Sequence, residues 1–129
     1  MTKIRVRYDE VDQMGYVYHA NYVKYCHIGR TELLRTMNIH DNFLEENNIM
    51  LPVIDMGLKY KKPANYDDLL TIKSTITDIP RTRLNFKFEI INETEELICI
   101  AESTVVFVDS VTRKPMEAPK VILEVFKTA

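Results

Sequence analysis

A single apolar stripe in residues 21–37 constrains the fold of this chain more than any other feature of its sequence. Apolar or small residues recur there every three or four positions, which is the spacing of one buried face of an α-helix. The positions are Tyr22, Cys26, Gly29, Leu33 and Met37. Asn21 precedes them and is a candidate N-cap, because its side chain can accept a hydrogen bond from a first-turn amide. We therefore predict a long helix from Asn21 to Met37 whose buried face other elements must cover.

Most of the remaining chain alternates apolar and polar residues with the period of two that is typical of half-buried β-strands. Strands are predicted at residues 3–9, 51–61, 70–77, 84–90 and 97–109. Short helices are predicted from Asp41 and after Pro119. An antiparallel sheet of about five strands wrapped around the long helix is the α+β arrangement that buries both apolar surfaces. Gly29 is unfavourable inside a helix, so we expect it to permit close approach between helix and sheet.

Size and composition limit the possible function classes. The 129 residues fit one domain, and a formal net charge of −2 gives no reason to expect a nucleic-acid partner. No run approaches the roughly 20 apolar residues of a membrane span, and the N-terminus lacks the apolar core of a secretory signal. A cytoplasmic location is therefore expected. Cys26 and Cys99 are far apart and have no neighbours at metal-ligand spacing, so both are expected to be buried, reduced thiols.

The predicted sheet also has consequences for assembly. An isolated sheet of this kind keeps an exposed edge, and such an edge readily pairs with another chain. Pairing of two identical edges across a two-fold axis would bury that edge and produce one continuous sheet. A homodimer is therefore expected.

The segment before the long helix concentrates residues with useful chemistry. Asp12 lies three residues before Gly15, and the predicted helix starts soon afterwards. The unpaired amides of a first helical turn carry partial positive charge, so a carboxylate facing them across a gap can bind a polarised carbonyl and attack it. Asp12 is thus a candidate nucleophile or general base. The alternative is structural, because an aspartate before a glycine-containing loop commonly bonds its own backbone.

The stretch Y-D-E-V-D-Q-M-G-Y-V-Y-H-A-N-Y resembles the signature of the hotdog-fold acyl-CoA thioesterases of the 4-hydroxybenzoyl-CoA thioesterase and YbgC-like type. The positions that match are Tyr8, Asp12, Gly15, Val17, Asn21 and Tyr22. The resemblance continues through K-P-A-N-Y-D-D-L-L and V-V-F-V-D, and so covers nearly the whole chain. It implies one hotdog domain over residues 1–129, a dimer or a tetramer made of two dimers, and hydrolysis of a thioester between an acyl group and coenzyme A. It implies no separate cofactor, since coenzyme A is part of the substrate.

The resemblance also implies roles for individual residues. Asp12 matches the catalytic carboxylate, and His19 matches the position whose backbone amide binds the thioester oxygen. The Y-H-A form of the motif suggests a part in catalysis for the side chain of His19 as well. Tyr8, Gly15 and Tyr22 match positions expected near the substrate.

The phosphates of coenzyme A need basic partners. Several basic residues lie at predicted strand ends and turns, where solvated charge is the usual role. These residues are Lys61, Lys62, Arg81, Arg83, Arg113 and Lys114. The turn that contains Arg81 and Arg83 is the preferred candidate for phosphate binding.

The sequence leaves two possible roles for the tyrosines near the helix start and favours one role for each of several other residues. Four tyrosines around the helix start either line an aryl-binding pocket or belong to the core. They are Tyr16, Tyr18, Tyr22 and Tyr25. Asp9 and Glu10 are interpreted as solvent-facing charges, and with Asp12 they fail the calcium-loop pattern, so no metal site is predicted. His27 is assigned to helix packing or the surface, and His40 to a helix end.

Two other functions are consistent with the same residues. A non-catalytic hotdog module could bind acyl-CoA or an acyl carrier protein, although Asp12 and Gly15 would then lack a purpose. Hydratase chemistry on a related fold is a weaker alternative, because it is expected to pair an acidic residue with a catalytic histidine in a differently spaced motif.

Overall fold

A five-stranded antiparallel sheet forms the larger part of the structure, a computed structural model that describes residues 1–128. Its strands are β1 (Thr2–Arg5), β3 (Val53–Tyr60), β4 (Leu69–Ile76), β5 (Arg83–Ile91) and β6 (Leu97–Val106). They are arranged in the order β1-β4-β5-β6-β3, so β1 and β3 are the two edges. Two short strands, β2 (Ile49–Met50) and β7 (Val108–Asp109), pair separately.

Three helices complete the described chain. The long helix α1 (Asn21–Thr36) packs mainly against β4, while α2 (Asp41–Glu46) and α3 (Lys120–Thr128) are shorter. None of these helices is long and apolar enough to cross a membrane. The structure thus confirms the predicted α+β arrangement of one long helix and a five-stranded antiparallel sheet, whereas the cytoplasmic location stays a prediction.

The core lies between α1 and the concave face of the sheet. The alternation along β5 shows that one face of the sheet is buried: alternate residues from Leu84 to Ile90 are buried, while Lys87 and Glu89 are exposed. Cys26 on α1 and Cys99 on β6 are both buried and free, as predicted. Burial raises the pKa of the Cys26 thiol to about 12 and that of Cys99 to about 11, which makes both thiols unreactive at neutral pH.

Gly29 occupies the point where α1 comes nearest to the sheet. A Cβ at this position would lie 2.6 Å from Ser74 Oγ and 2.7 Å from Ile72 Cγ2, both on β4. The helix can therefore approach the strand only because residue 29 has no side chain, as the sequence predicted. Near the end of α1 the buried face differs from the predicted one, since Leu34 is buried and Leu33 is only partly buried.

Two local predictions are wrong. Asn21 is the first residue of α1 and does not cap it, because its Nδ2 donates to Glu10 O at 2.8 Å instead. The first strand ends at Arg5, since the chain then enters a 3-10 turn at Tyr8–Glu10. Tyr8 consequently does not continue the strand and is 78% exposed.

Candidate active site

The loop that carries Asp12 is a short hairpin closed by a bridge between Val11 and Val17. Within it, Asp12 N donates to Tyr16 O at 2.8 Å, and Gly15 N donates to Asp12 O at 3.0 Å. Gly15 has φ +80°, and a Cβ there would meet nothing within 4 Å. The glycine is thus required for its left-handed backbone rather than for lack of space.

One oxygen of the Asp12 carboxylate accepts hydrogen bonds from the backbone of this loop. Oδ1 accepts hydrogen bonds from Met14 N at 2.9 Å and from Tyr16 N at 3.2 Å. Oδ2 has no hydrogen-bond partner among residues 1–128, and Asp12 lines an open cleft. The structural and the chemical interpretations of Asp12 are therefore compatible, because the backbone amides orient the group while one oxygen remains accessible.

Unpaired backbone amides occur immediately before α1. The N–H groups of His19 and Ala20 donate to no residue of the described chain, whereas Asn21 N donates to Tyr18 O at 2.9 Å. The side chain of His19 is exposed, and its ring lies 4.4 Å from the ring of Tyr18. His19 thus presents both an available amide and an accessible imidazole.

Asp12 and His19 line the same cleft, which has a volume of about 470 Å³. Its walls come from the hairpin, from the start of α1 and from the end of β3, where Tyr60, Lys61 and Lys62 lie. The hydroxyl of Tyr60 donates to His19 O at 3.3 Å and so joins the strand end to the helix start. The structure therefore brings together the candidate carboxylate and the candidate oxyanion donor in one subunit.

The four tyrosines divide between cleft and core. Tyr16, Tyr18 and Tyr22 line the cleft, while Tyr25 is fully buried and donates to Glu10 Oε1 at 3.1 Å. Burial raises the pKa of Tyr22 to about 12, so this residue is a neutral phenol at physiological pH. The cleft wall is thus aromatic and uncharged on the side of α1.

Other predicted residues lie outside the cleft lining. Tyr8 packs edge to face against Tyr66, with ring centroids 5.6 Å apart, on the exposed surface. Gly15 shapes the hairpin without lining the cleft. His27 lies on the surface within hydrogen-bond distance of Arg30, and His40 is the N-cap of α2.

Arg81 and Arg83 are separated from the cleft by the length of the sheet. Arg83 pairs with Val106 of β6, whereas Tyr60 at the cleft pairs with Cys99 of the same strand. Cys99 and Val106 are seven residues apart, which is about 23 Å along a strand. One subunit therefore does not bring the two arginines to Asp12.

Glu10 is the main residue whose environment the sequence did not reveal. It was expected to face solvent, but it is 3% exposed and its carboxylate accepts hydrogen bonds from Arg7 N, Tyr25 OH and Lys24 Nζ. Burial alone would raise the pKa of Glu10, but these hydrogen bonds and the charge of Lys24 outweigh it and lower the pKa. Asp9 does face solvent, where it pairs with Arg7.

Tyr60 was also missed, because nothing local in the sequence shows that the end of β3 meets the start of α1. Lys61 and Lys62 were visible as basic residues beside a strand end, but without a link to Asp12. Among residues 1–128, no group of three His, Cys, Asp or Glu side chains is arranged to hold a metal ion.

Known proteins match this chain over most of its length. The family model described as the thioesterase-like superfamily matches residues 6–126. Putative acyl-CoA thioesterase YneP of Bacillus subtilis is 35% identical over 118 residues, which are 92% of this chain and 86% of that protein. Acyl-CoA thioester hydrolase YbgC of Escherichia coli is 38% identical over 124 residues, which are 96% of this chain and 92% of that protein.

A solved structure agrees with these matches. A DHNA-CoA thioesterase from Staphylococcus aureus superposes with a TM-score of 0.91 at 28% identity, covering 98% of this chain and 87% of that one. The resemblance seen in the Tyr8-to-Tyr22 stretch and the predicted hotdog fold are both confirmed. The chain belongs to the thioesterase-like superfamily and is a hotdog-fold thioester hydrolase.

Proposed function

We propose that this chain hydrolyses the thioester bond of an acyl-CoA, with Asp12 as nucleophile or general base and with the amides before α1 as oxyanion donors. One observation carries the proposal: Asp12, with a free carboxylate oxygen, lines the same cleft as His19, whose amide is unpaired. The names of the relatives YneP and YbgC support coenzyme A as the carrier of the acyl group.

The proposed reaction begins with the thioester carbonyl oxygen accepting hydrogen bonds from the amides of His19 and Ala20. These donors stabilise the negative charge that develops on that oxygen. As a nucleophile, Asp12 attacks the carbonyl carbon, the carbon–sulfur bond breaks, and coenzyme A leaves as the thiolate, which takes a proton from solvent. Water then hydrolyses the anhydride to the carboxylic acid and restores the carboxylate of Asp12. As a general base, Asp12 removes a proton from a water that attacks the same carbon; the carbon–sulfur bond then breaks and Asp12 passes the proton to the departing sulfur. Both routes use no cofactor beyond the coenzyme A of the substrate.

Thiol release from short-chain, long-chain and aryl acyl-CoAs tests the proposal, and we expect turnover of at least one class. Asp12→Asn keeps the size of the side chain but removes its charge, so kcat/KM should fall roughly 10²- to 10⁴-fold. Asp9→Asn is the matched control, because Asp9 is exposed on the neighbouring turn and pairs with Arg7 at the surface. Its activity should stay within about two-fold of the wild type.

Three outcomes would change the assignment. Unchanged turnover by Asp12→Asn would remove Asp12 from the mechanism. Binding of acyl-CoA without turnover across the whole panel would favour a non-catalytic binding module. If thioesters of acyl carrier protein, assayed in parallel, are hydrolysed faster than acyl-CoAs, the carrier of the acyl group would be acyl carrier protein and not coenzyme A.

We also propose that the active form is a homodimer joined through β3. This edge is eight residues long and exposes Val53 and Ile54, each about half. The other edge, β1, has only four residues, and such short edge strands offer little to pair with. Because Tyr60 ends β3 and lines the cleft, a partner strand paired there would lie beside the active site.

A further inference from the structure

Glu10 joins the 3-10 turn before the Asp12 hairpin to the segment just before α1 and to α1 itself. The proposed reaction needs these three segments at fixed relative positions. Its backbone oxygen accepts from Tyr18 N at 2.9 Å and from Asn21 Nδ2 at 2.8 Å. Its carboxylate accepts from Tyr25 OH at 3.1 Å and from Lys24 Nζ, both on α1. One residue thus holds the 3-10 turn that leads into the Asp12 hairpin against the first two turns of the helix.

We propose that Glu10 is a positioning residue that fixes the distance between the carboxylate of Asp12 and the amides of His19 and Ala20. The inference rests on the thioesterase function proposed above. Glu10 does not line the cleft and is 3% exposed, so it cannot touch the substrate. Its effect must therefore pass through the backbone of the hairpin and the side chains of α1.

Few other hydrogen bonds cross this junction, so Glu10 provides most of its polar connection. Among residues 1–128, the hydrogen bonds of Asp12 stay within its own hairpin, to Met14, Gly15 and Tyr16. The amide of His19 bonds nothing in the described chain, and its carbonyl is held by Tyr60 from β3 and by Tyr22 N. The direct hydrogen bonds between the hairpin approach and the start of α1 therefore converge on Glu10.

The negative charge of Glu10 is the part that a substitution can test. Lys24 Nζ can only donate, so it requires an acceptor at Oε2. In Glu10→Gln, the amide oxygen can still accept from Arg7 N and Tyr25 OH, which both reach Oε1. The new NH₂ group would then face the ammonium of Lys24, and two donors repel each other.

A double substitution offers a matched rescue. In Glu10→Gln combined with Lys24→Gln, a side-chain carbonyl at position 24 can accept from the amide at position 10, so a neutral hydrogen bond replaces the ion pair. Glu32→Gln is the control for loss of a glutamate charge, because Glu32 pairs with Arg35 on the exposed face of α1 and lies outside the cleft. Thermal unfolding of the wild type, the two single variants Glu10→Gln and Lys24→Gln, the double variant and the control separates loss of folding from loss of geometry.

The experiment measures kcat and KM with the best acyl-CoA of the panel, well below the unfolding midpoint of each variant. We expect Glu10→Gln to lower kcat roughly 10- to 100-fold with little change in KM, because displacement of a reacting group by about 1 Å costs rate rather than binding. Lys24→Gln should lower kcat less, the double variant should recover most of the loss, and Glu32→Gln should match the wild type.

The possible failures can be told apart. Absence of turnover by the wild-type protein would overturn the proposed function and the positioning role with it. An active wild type with an unchanged kcat in folded Glu10→Gln would overturn the positioning role alone. A double variant as slow as Glu10→Gln would also overturn it, because contact with Lys24 would then not be how Glu10 acts.

Discussion

At the scale of single residues, Lys61 is the basic side chain best placed to meet coenzyme A within one subunit. It lies at the cleft directly after β3 and forms no ion pair with any residue of the described range. Lys62 is already engaged, because its Nζ lies 2.6 Å from Glu96 Oε2. A free ammonium group at the cleft edge suits a phosphate of the substrate, whereas Arg81 and Arg83 lie at the far end of the sheet.

Lys61→Ala should therefore raise the KM for acyl-CoA about ten-fold with kcat little changed. The same variant should hydrolyse an acyl-N-acetylcysteamine thioester, which has no phosphates, as well as the wild type does. Lys73→Ala, on the exposed face of β4, is the control for loss of a lysine. Equal losses with both substrates would show that Lys61 does not act on phosphate. A higher KM of Arg83→Ala for acyl-CoA alone would instead support phosphate binding by Arg83 from a partner subunit.

At the scale of secondary-structure elements, the contact between α1 and β4 depends on Gly29. Gly29→Ala would add a methyl group 2.6 Å from Ser74 Oγ and 2.7 Å from Ile72 Cγ2. The gain of about 1 kcal/mol in helix propensity is outweighed by an overpacking cost of about 1–3 kcal/mol, so chemical denaturation should show net destabilisation.

Ser74 provides the control for this prediction. Its Oγ is buried without a hydrogen-bond partner in residues 1–128, so Ser74→Ala alone should leave stability unchanged or raise it. Combined with Gly29→Ala, it removes one of the two close contacts and should recover part of the lost stability. A Gly29→Ala variant as stable as the wild type would contradict the close packing of helix and sheet.

The junction between the hairpin and α1 should also make stability depend on pH. The pKa of Glu10 is lowered from its ordinary value of 4.5, so its charge favours the folded state above about pH 4.5 and this contribution is lost as pH falls through the lower folded value. Glu10→Gln should therefore be less stable than the wild type at pH 7 by about 1–3 kcal/mol.

Denaturation at a series of pH values measures this effect. The stability difference between wild type and Glu10→Gln should shrink as the pH is lowered below about 4.5, because protonated glutamate and glutamine are both uncharged. A difference that stays constant between pH 7 and pH 3 would mean that the charge of Glu10 does not stabilise the fold.

At the scale of the whole molecule, β3 is the edge on which the proposed dimer depends. Ile54 is 49% exposed, so Ile54→Lys places a charge on this edge at little cost to the isolated subunit. Light scattering after size exclusion should show a dimer for the wild type, a smaller species for Ile54→Lys, and loss of thioesterase activity in that species. Lys3→Glu on the opposite edge should leave both properties unchanged. A monomeric, active wild type would disprove the dimer.

Features with local causes were predictable from the sequence. The periods of α1 and β5 and the contact of Gly29 each follow from residues close together in the chain or from the geometry of one element. Asp12 and His19 were identified as a pair because the resemblance covers a continuous stretch of the sequence. The errors at Asn21 and Tyr8 both arise at the 3-10 turn Tyr8–Glu10. The turn redirects the chain after β1, and the backbone oxygen of its last residue, Glu10, accepts a hydrogen bond from the side chain of Asn21.

The sequence by itself determined the α+β class, the long helix and the glycine-containing loop that carries Asp12, because those depend on short-range periodicity and on residue types that favour turns. Only the tertiary structure decided that Glu10 is buried, that Tyr60 and Lys61 reach the cleft, and that Arg81 and Arg83 do not. Glu10 is buried because the start of α1 packs over it and its hydrogen bonds reach Asn21 and Tyr25. The other outcomes depend on β3 pairing with β6, about forty residues away, across an intervening β4–β5 hairpin. Which side chains meet through such long-range pairing is set by strand order and register, and neither is encoded in any local pattern.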